Sequence, residues 1–232
     1  YSNGIKELEI PYKKNELHGR FKRWTVFGDV AGVGYYKKGK KEGKWETFFD
    51  NKKVESRRFY KNDKKVGTWE GFFYNRNPAW IEYYQNDSAV GLWQKWYSNG
   101  VLEEENSCHL AEAEGFKKHY YADGKPQWKW NCRFGIKEGE ATQYYPSGLL
   151  QLKYRYRNGQ LNGPLNIYRA NGRLWKREYW KQDVRDSIWA WYDTSEVLIR
   201  ESRFHNGTGT AFGFCPSGDA RLTCAESTFV KN

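Results

Sequence analysis

Glycine returns every 24 residues along this chain, and that period constrains the fold more than any other feature. Gly19, Gly43, Gly67, Gly91, Gly115, Gly139 and Gly163 keep one phase; Ser187 continues it, and Gly209 closes it after a step of 22. Each anchor opens a segment such as EGKWETFF, VGTWEGFF or VGLWQKWY. A turn follows (SNG at 98–100, ADG at 122–124, PSG at 146–148, ANG at 170–172), then a second short run and a second polar turn. A fixed period of this size marks one supersecondary unit stacked on copies of itself.

Counted from the anchor, residues fall into columns. The Trp column, two positions on, holds Trp45, Trp69, Trp93 and Trp189, with Leu165 in line. A column at five carries Trp24, Phe48, Phe72, Trp96, Tyr120, Tyr144, Tyr168, Tyr192 and Phe214. The Tyr column, at seventeen, carries Tyr12, Tyr36, Tyr60, Tyr84, Cys108, Cys132, Tyr156, Trp180 and Phe204. Aromatic and β-branched residues favour half-buried strands. Two such runs joined by Asn-Gly, Asp-Gly or Ser-Gly form a hairpin, because those residues accept positive φ. No helical apolar period runs far enough to matter.

The expected fold is therefore all-β: an elongated single-layer antiparallel meander of about nine 24-residue hairpins. About 19 strands at ~4.8 Å spacing would span roughly 90 Å if flat. One array is expected over 1–232, with 1–18 a partial first repeat and 209–232 a degenerate C-terminal cap. In the cap Ala211 replaces the Trp, and the tail CAESTFVKN is expected to cover the final edge. Side chains alternate along a strand, so the columns at two and five lie on opposite faces unless a bulge intervenes. Like columns should form ring ladders two strand spacings apart.

Composition agrees with a thin sheet. Aromatics make up 19% of the chain, half of its 38% hydrophobic content, with 12 Trp, 18 Tyr, 13 Phe and no Met. Wide rings cover one another laterally where no deep core exists, at roughly 0.2–1 kcal/mol per cross-strand pair. No apolar run approaches the ~20 residues of a membrane helix. The chain begins in mid-repeat, since YSNGIKELEI at 1–10 matches YSNGVLEEEN at 97–106. An upstream segment is expected, with room for a signal or a lipid anchor.

The signature NG-x-L, an aromatic, a charged turn and then G-x-W-x-x-Y/F-Y/F resembles the MORN-type repeat. The bacterial variant found in the YwqK-like antitoxin family is the most similar form. NGVLEEEN with VGLWQKWY, and NGRLWKREYW with DSIWAWY, carry the resemblance, which extends over essentially all of 1–232. It implies a single-layer sheet of hairpins used as a non-catalytic interaction module, with some members serving as antitoxins or immunity partners. Eukaryotic relatives imply membranes and phospholipids. Two departures stand out: Lys117 and Ala141 occupy the Trp column, and Cys108 and Cys132 the Tyr column.

The net charge of +11 is concentrated early, in KKGKKEGK at 37–44, KK at 52–53 and KNDKK at 61–65. Lys37, Lys38, Lys40, Lys41, Lys64 and Lys65 form a candidate basic patch; solvated loop lysines that keep sheet edges from pairing are the alternative. Four cysteines permit two disulfides, Cys108–Cys132 and Cys215–Cys224 being the near pairs. In a flat sheet Cys108 and Cys132 would stand about 9.6 Å apart, beyond the ~7 Å limit between Cα atoms. That bridge therefore requires puckering or curling. Four buried thiols in a cytoplasmic protein are the other reading. Bridged cysteines would favour an extracytoplasmic place, periplasmic, outer-membrane-anchored or at the cell surface. Cys108, His109, His119 and Cys132 offer four metal ligands in a spacing that fits no standard zinc pattern. No metal and no cofactor is expected.

A catalytic site needs a singular cluster, whereas these columns repeat, so no catalytic residue and no enzyme activity is expected. The leading expectation is a scaffold that binds another protein, as an accessory subunit of an extracytoplasmic or membrane-associated complex. An immunity protein holding a toxin, and a glycan- or anionic-lipid-binding module, are the alternatives. The candidate binding rings are Tyr12, Tyr36, Tyr60, Tyr84, Tyr156, Trp180, Trp45, Trp69 and Trp93. No nucleic-acid module accompanies the charge, so nucleic acid is not an expected partner.

Overall fold

The protein is described from a computed structural model over residues 1–213 and 227–229. Every regular element among the described residues is a strand, and every pairing is antiparallel. The chain divides into two compact units: Tyr1–Glu112 with Ala122–Gly124, and Ala113–Tyr121 with the described residues from Lys125 on.

In the first unit the hairpins are Gly19–Trp24 with Val30–Lys37, Gly43–Phe48 with Val54–Lys61, Gly67–Phe72 with Pro78–Gln85, and Ser88–Trp96 with Leu102–Asn106. Leu8–Glu9 pairs with Gly19–Trp24, so residues before the first anchor supply a return strand. The second unit runs Gly115–Tyr120 with Pro126–Arg133, Ile136–Tyr144 with Leu150–Arg157, Gly163–Tyr168 with Leu174–Lys181, and Val184–Tyr192 with Leu198–His205. Thr208–Gly213 follows, and Ser227–Phe229 from the tail pairs along it.

One register is stamped on these hairpins. The anchor pairs with the Tyr column (Gly43↔Tyr60, Gly67↔Tyr84, Gly139↔Tyr156), and the Trp column pairs with the residue two before it (Trp45↔Arg58, Trp69↔Glu82). Past the fourth position the register slips by one, as at Thr47/Phe48, Gly71/Phe72 and Gln143/Tyr144. The extra residue sits on the return strand, a bulge that adds local twist. Alternation on the opening strand is intact, so the columns at two and five keep to opposite faces: Lys22, between them in phase with the second, lies 5.0 Å over the ring of Trp24.

The anchors explain themselves. Gly43, Gly67, Gly91 and Gly139 have φ of 70°, 66°, 68° and 79°, a left-handed conformation that a Cβ disfavours. Ser187 adopts φ 54° in the same place. At the hairpin ends, side chains clasp the next repeat. Asp63 and Asp87 accept hydrogen bonds from the Lys41 and Lys65 amides at 2.7 and 2.8 Å. In the second unit Tyr121 and Tyr145 donate to the carbonyls of Tyr144 and Tyr168, both at 2.7 Å. The turns are thus fastened repeat to repeat, and their backbone groups find partners without a deep core.

Candidate functional site

The ring columns form one ladder, at a finer spacing than expected. On the first unit the Trp and Tyr columns interleave on successive strands: Tyr36–Trp45 at 5.0 Å, Trp45–Tyr60 at 6.1 Å, Tyr60–Trp69 at 5.1 Å, Trp69–Tyr84 at 5.0 Å and Tyr84–Trp93 at 5.2 Å. These are single strand spacings. The expected separation of two spacings holds within each column, but the register between hairpins brings one column beside the other. Trp69 is only 7% exposed as a result. Its indole N–H donates to the Phe59 carbonyl at 3.0 Å; Trp93 and Trp189 repeat the bond to Tyr83 and Tyr179 at 3.1 Å. Tyr12 stands apart from the ladder, 66% exposed in the small Tyr12–Lys13 and Glu16–Leu17 hairpin.

Two residues of the basic patch belong to this ladder. Lys41 lies 4.9 Å from the ring centres of both Trp45 and Tyr60, and Lys65 lies 4.7 and 4.6 Å from those of Trp69 and Tyr84. In the second unit Lys137 lies over Trp130 and Tyr156, and Arg185 over Trp189 and Phe204. A cation two residues before the anchor therefore clamps two neighbouring rings. Lys37, Lys38, Lys40 and Lys64 are exposed at the hairpin ends.

The second unit builds the ladder differently. Where Lys117 and Ala141 replace the Trp, the residues directly across the hairpin are Trp130 and Tyr154. The ring has moved to the other strand of the same rung. Ala141 is 1% exposed beneath it, and burial pushes the Tyr154 phenol up to about 12. Tyr156 packs 5.5 Å from Tyr154, and Trp180 lies 5.4 Å from Trp189. In both units a carboxylate can serve the Tyr column: Tyr84 donates to Glu82 at 2.8 Å and Trp180 to Glu178 at 2.9 Å. Burial first, and then the Glu82 carboxylate, raises the Tyr84 phenol.

Cys108 and Cys132 are both disulfide-bonded. The strand Leu102–Asn106 ends before Cys108, so the flat-sheet spacing that argued against its bridging does not apply. His109 takes the vacated ladder place, 4.8 Å from Trp93, 6% exposed and bonded through Nε2 to the Gly91 carbonyl at 2.9 Å. Sulfurs committed to disulfides are not metal ligands, and no metal-binding cluster occurs among the described residues. Cys215 and Cys224 lie outside the described residues.

A second set of rings went unread in the sequence. Tyr35, Phe59 and Tyr83, one residue before the Tyr column, share the face opposite the ladder. Tyr35 and Tyr83 are 41% and 37% exposed, and across their rungs stand Arg20, Lys44 and Thr68. On this face Arg57 donates through Nε to Glu46 at 3.0 Å and through Nη1 to Glu70 on the next strand. Burial pushes the Glu46 carboxyl up, but the hydrogen bonds from Arg57 and Lys44 outweigh it and hold it below the usual value.

The profile of the family described as MORN repeat variant matches residues 41–62, 89–107 and 137–158. The segments fall on hairpins of both units, in phase with the anchors. These three segments are MORN-type repeats. No curated protein matches the chain in sequence. Among solved structures, the Tc holotoxin pore of Photorhabdus luminescens is similar at 11% identity over 85% of this chain, with a TM-score of 0.20. The structure titled TcdB2-TccC3-TEV is similar at 10% identity over 93%, with a TM-score of 0.18. The chain spans 13% and 14% of the length of those chains.

Proposed function

We propose that this protein is a non-enzymatic scaffold that holds another protein, as an accessory subunit of an extracytoplasmic or membrane-associated complex. One observation carries the reading: the first unit keeps Tyr35 and Tyr83 exposed, with the half-buried Phe59 between them, on a face whose rings the ladder does not need. Rings set among Arg20, Lys44 and Arg57 have the make-up of an interface centre, where Tyr and Arg supply most of the binding energy. The disulfide-bonded cysteines support an oxidising compartment.

The test is the double variant Tyr35→Ser, Tyr83→Ser in the full chain. A stoichiometric partner should copurify with the wild type from its host's detergent extract and be lost from the variant at unchanged melting temperature. A partner retained by the variant would place the interface elsewhere. If that partner is a toxin, the scaffold acts as its immunity protein; if it is a subunit of a membrane complex, the accessory reading stands.

A further inference from the structure

On the ladder face of the first unit, the rung beside the rings is floored by small residues. Gly32 pairs with Thr47, and Ser56 pairs with both Thr47 and Gly71. The Thr47 and Ser56 hydroxyls bond at 2.8 Å, which satisfies the floor without raising it. Two hollows of about 320 and 410 Å³ open over this floor and share Thr47, Ser56 and Arg58. Each lies within the ~300–1,000 Å³ of small-ligand clefts.

The glycines let rings lie down along it. A Cβ on Gly34 would fall 2.3 Å from the Trp45 ring, and one on Gly71 2.2 Å from the Trp80 indole nitrogen. Trp45 therefore leaves the position that lets Trp69, Trp93 and Trp189 donate to a carbonyl, and its buried Nε1 has no acceptor. Arg58 Nε is likewise buried without an acceptor. Its guanidinium rests against Trp69 and Trp80, 5.6 and 5.8 Å from their ring centres. Buried donors are nearly always paired, and an unpaired one calls for a missing acceptor.

The charges point the same way. Arg23, Lys41 and Arg58 line the hollows, and none of the three makes an ion pair with another described residue. Glu46 borders the hollows, but its carboxylate is held by Arg57 and Lys44 on the opposite face; Glu55 is exposed at the rim. The column of Arg58 carries Glu178 in one repeat of the second unit, where it pairs with Lys176.

We infer that this groove binds an acidic saccharide, a uronate-type sugar whose ring lies against Trp80 and whose carboxylate meets Arg58. A planar guanidinium matches a carboxylate in two parallel hydrogen bonds. Sugar hydroxyls and the ring oxygen supply acceptors for Trp45 Nε1, and the hollows are far larger than a lone phosphate requires. The site lies on the ladder face, away from the rings of the proposed protein interface, so the two readings stand or fall separately.

The test is tryptophan fluorescence and calorimetry on the full chain with tetragalacturonate, against maltotetraose, inorganic phosphate and vesicles of mixed neutral and anionic phospholipid. Tetragalacturonate should bind and maltotetraose should not. Arg58→Gln should weaken binding about tenfold or more, the loss of a charged hydrogen-bonded pair. If Arg58→Gln fails to fold, Arg23→Gln at the exposed rim replaces it, with an expected loss of about threefold. Equal binding of maltotetraose, binding only of vesicles or phosphate, or tetragalacturonate binding unchanged by a folded Arg58→Gln or Arg23→Gln would each overturn the proposal.

Discussion

The two units solve one packing problem in two ways. In the first, each rung of the ladder is filled from the opening strand: Trp45 faces Arg58, Trp69 faces Glu82 and Trp93 faces Asn106. In the middle of the chain the second unit fills it from the return strand, Trp130 facing Lys117 and Tyr154 facing Ala141. The repeat therefore conserves the volume of a rung rather than the identity of a position. That freedom has a consequence at the neighbouring rung. The first unit leaves Gly32, Thr47 and Ser56 there and sets Trp80 beside Gly71 and Lys95, while the second places Trp128 against Gln143 and Trp191 against Lys176. A groove lined by Arg23, Lys41 and Arg58 opens beside the small residues of the first unit, while Lys176 pairs with Glu178 in the second.

The largest effect should come from emptying a rung. Trp69→Ala removes a ring that is 7% exposed and lies between Tyr60 and Tyr84. A loss of about 3–5 kcal/mol is expected in denaturant unfolding. Trp130→Ala should cost somewhat less, because that ring is only half-buried. Hydrogen exchange should show each loss confined to the unit that carries it. A Trp69→Ala chain that melts and exchanges like the wild type would break the ladder account altogether.

A sharper cut is to move the ring back. Ala141 is 1% exposed under Tyr154, so Ala141→Trp should overpack the rung and cost about 1–3 kcal/mol. Adding Tyr154→Arg recreates the Trp45 and Arg58 pair of the first unit, and most of the loss should return. The double-mutant cycle measures this as coupling between the two positions. Additive losses would mean that the rungs are not interchangeable.

Particular residues show how far the sequence carries. The anchors, their left-handed backbone and the Asn-Gly turns were legible because they are local, set by what one residue's φ permits. The ring columns were legible as periodicity. Their interleaving was not, since whether Tyr60 lands beside Trp69 depends on register between hairpins, not within one. The swapped rings were visible in principle, because Trp130 and Tyr154 stand fifteen residues after their anchors. Seeing them meant reading two columns against each other. Lys41 and Lys65 looked like turn charges until rings on two strands were placed beneath their ammonium groups. The groove was the least legible feature, since it consists of side chains that are small or absent.

Acid should separate the units on the other face. Arg57 bridges Glu46 and Glu70 in the first unit, whereas the matching Arg177 donates to the neutral Asn166 at 3.0 Å in the second. The folded value of Glu46 lies below its ordinary 4.5. Its contribution is therefore complete above 4.5 and is lost as pH falls through the lowered folded value. Because Arg57 is a third exposed, screening limits this to about 0.5–1 kcal/mol. Glu46→Gln should lower the melting temperature at pH 7 and flatten its acid limb, while Asn166→Gln leaves that limb unchanged. An acid limb that is the same in Glu46→Gln and the wild type would remove the charge difference between the units.

The smallest effect concerns the clamps, which the units share. Lys65→Gln keeps most of the stem over Trp69 and Tyr84 but removes the charge, and Arg185→Gln does the same over Trp189 and Phe204. Each should cost about 0.5–1 kcal/mol, the range for a partly exposed cation over a ring. The loss should persist in high salt, because it depends on the ring quadrupole at contact distance rather than on long-range attraction. Lys64→Gln, on the exposed neighbour, should cost nothing measurable. A Lys65→Gln loss that disappears in salt would make Lys65 another solvated turn charge. The ladder would then rest on ring contacts alone in both units.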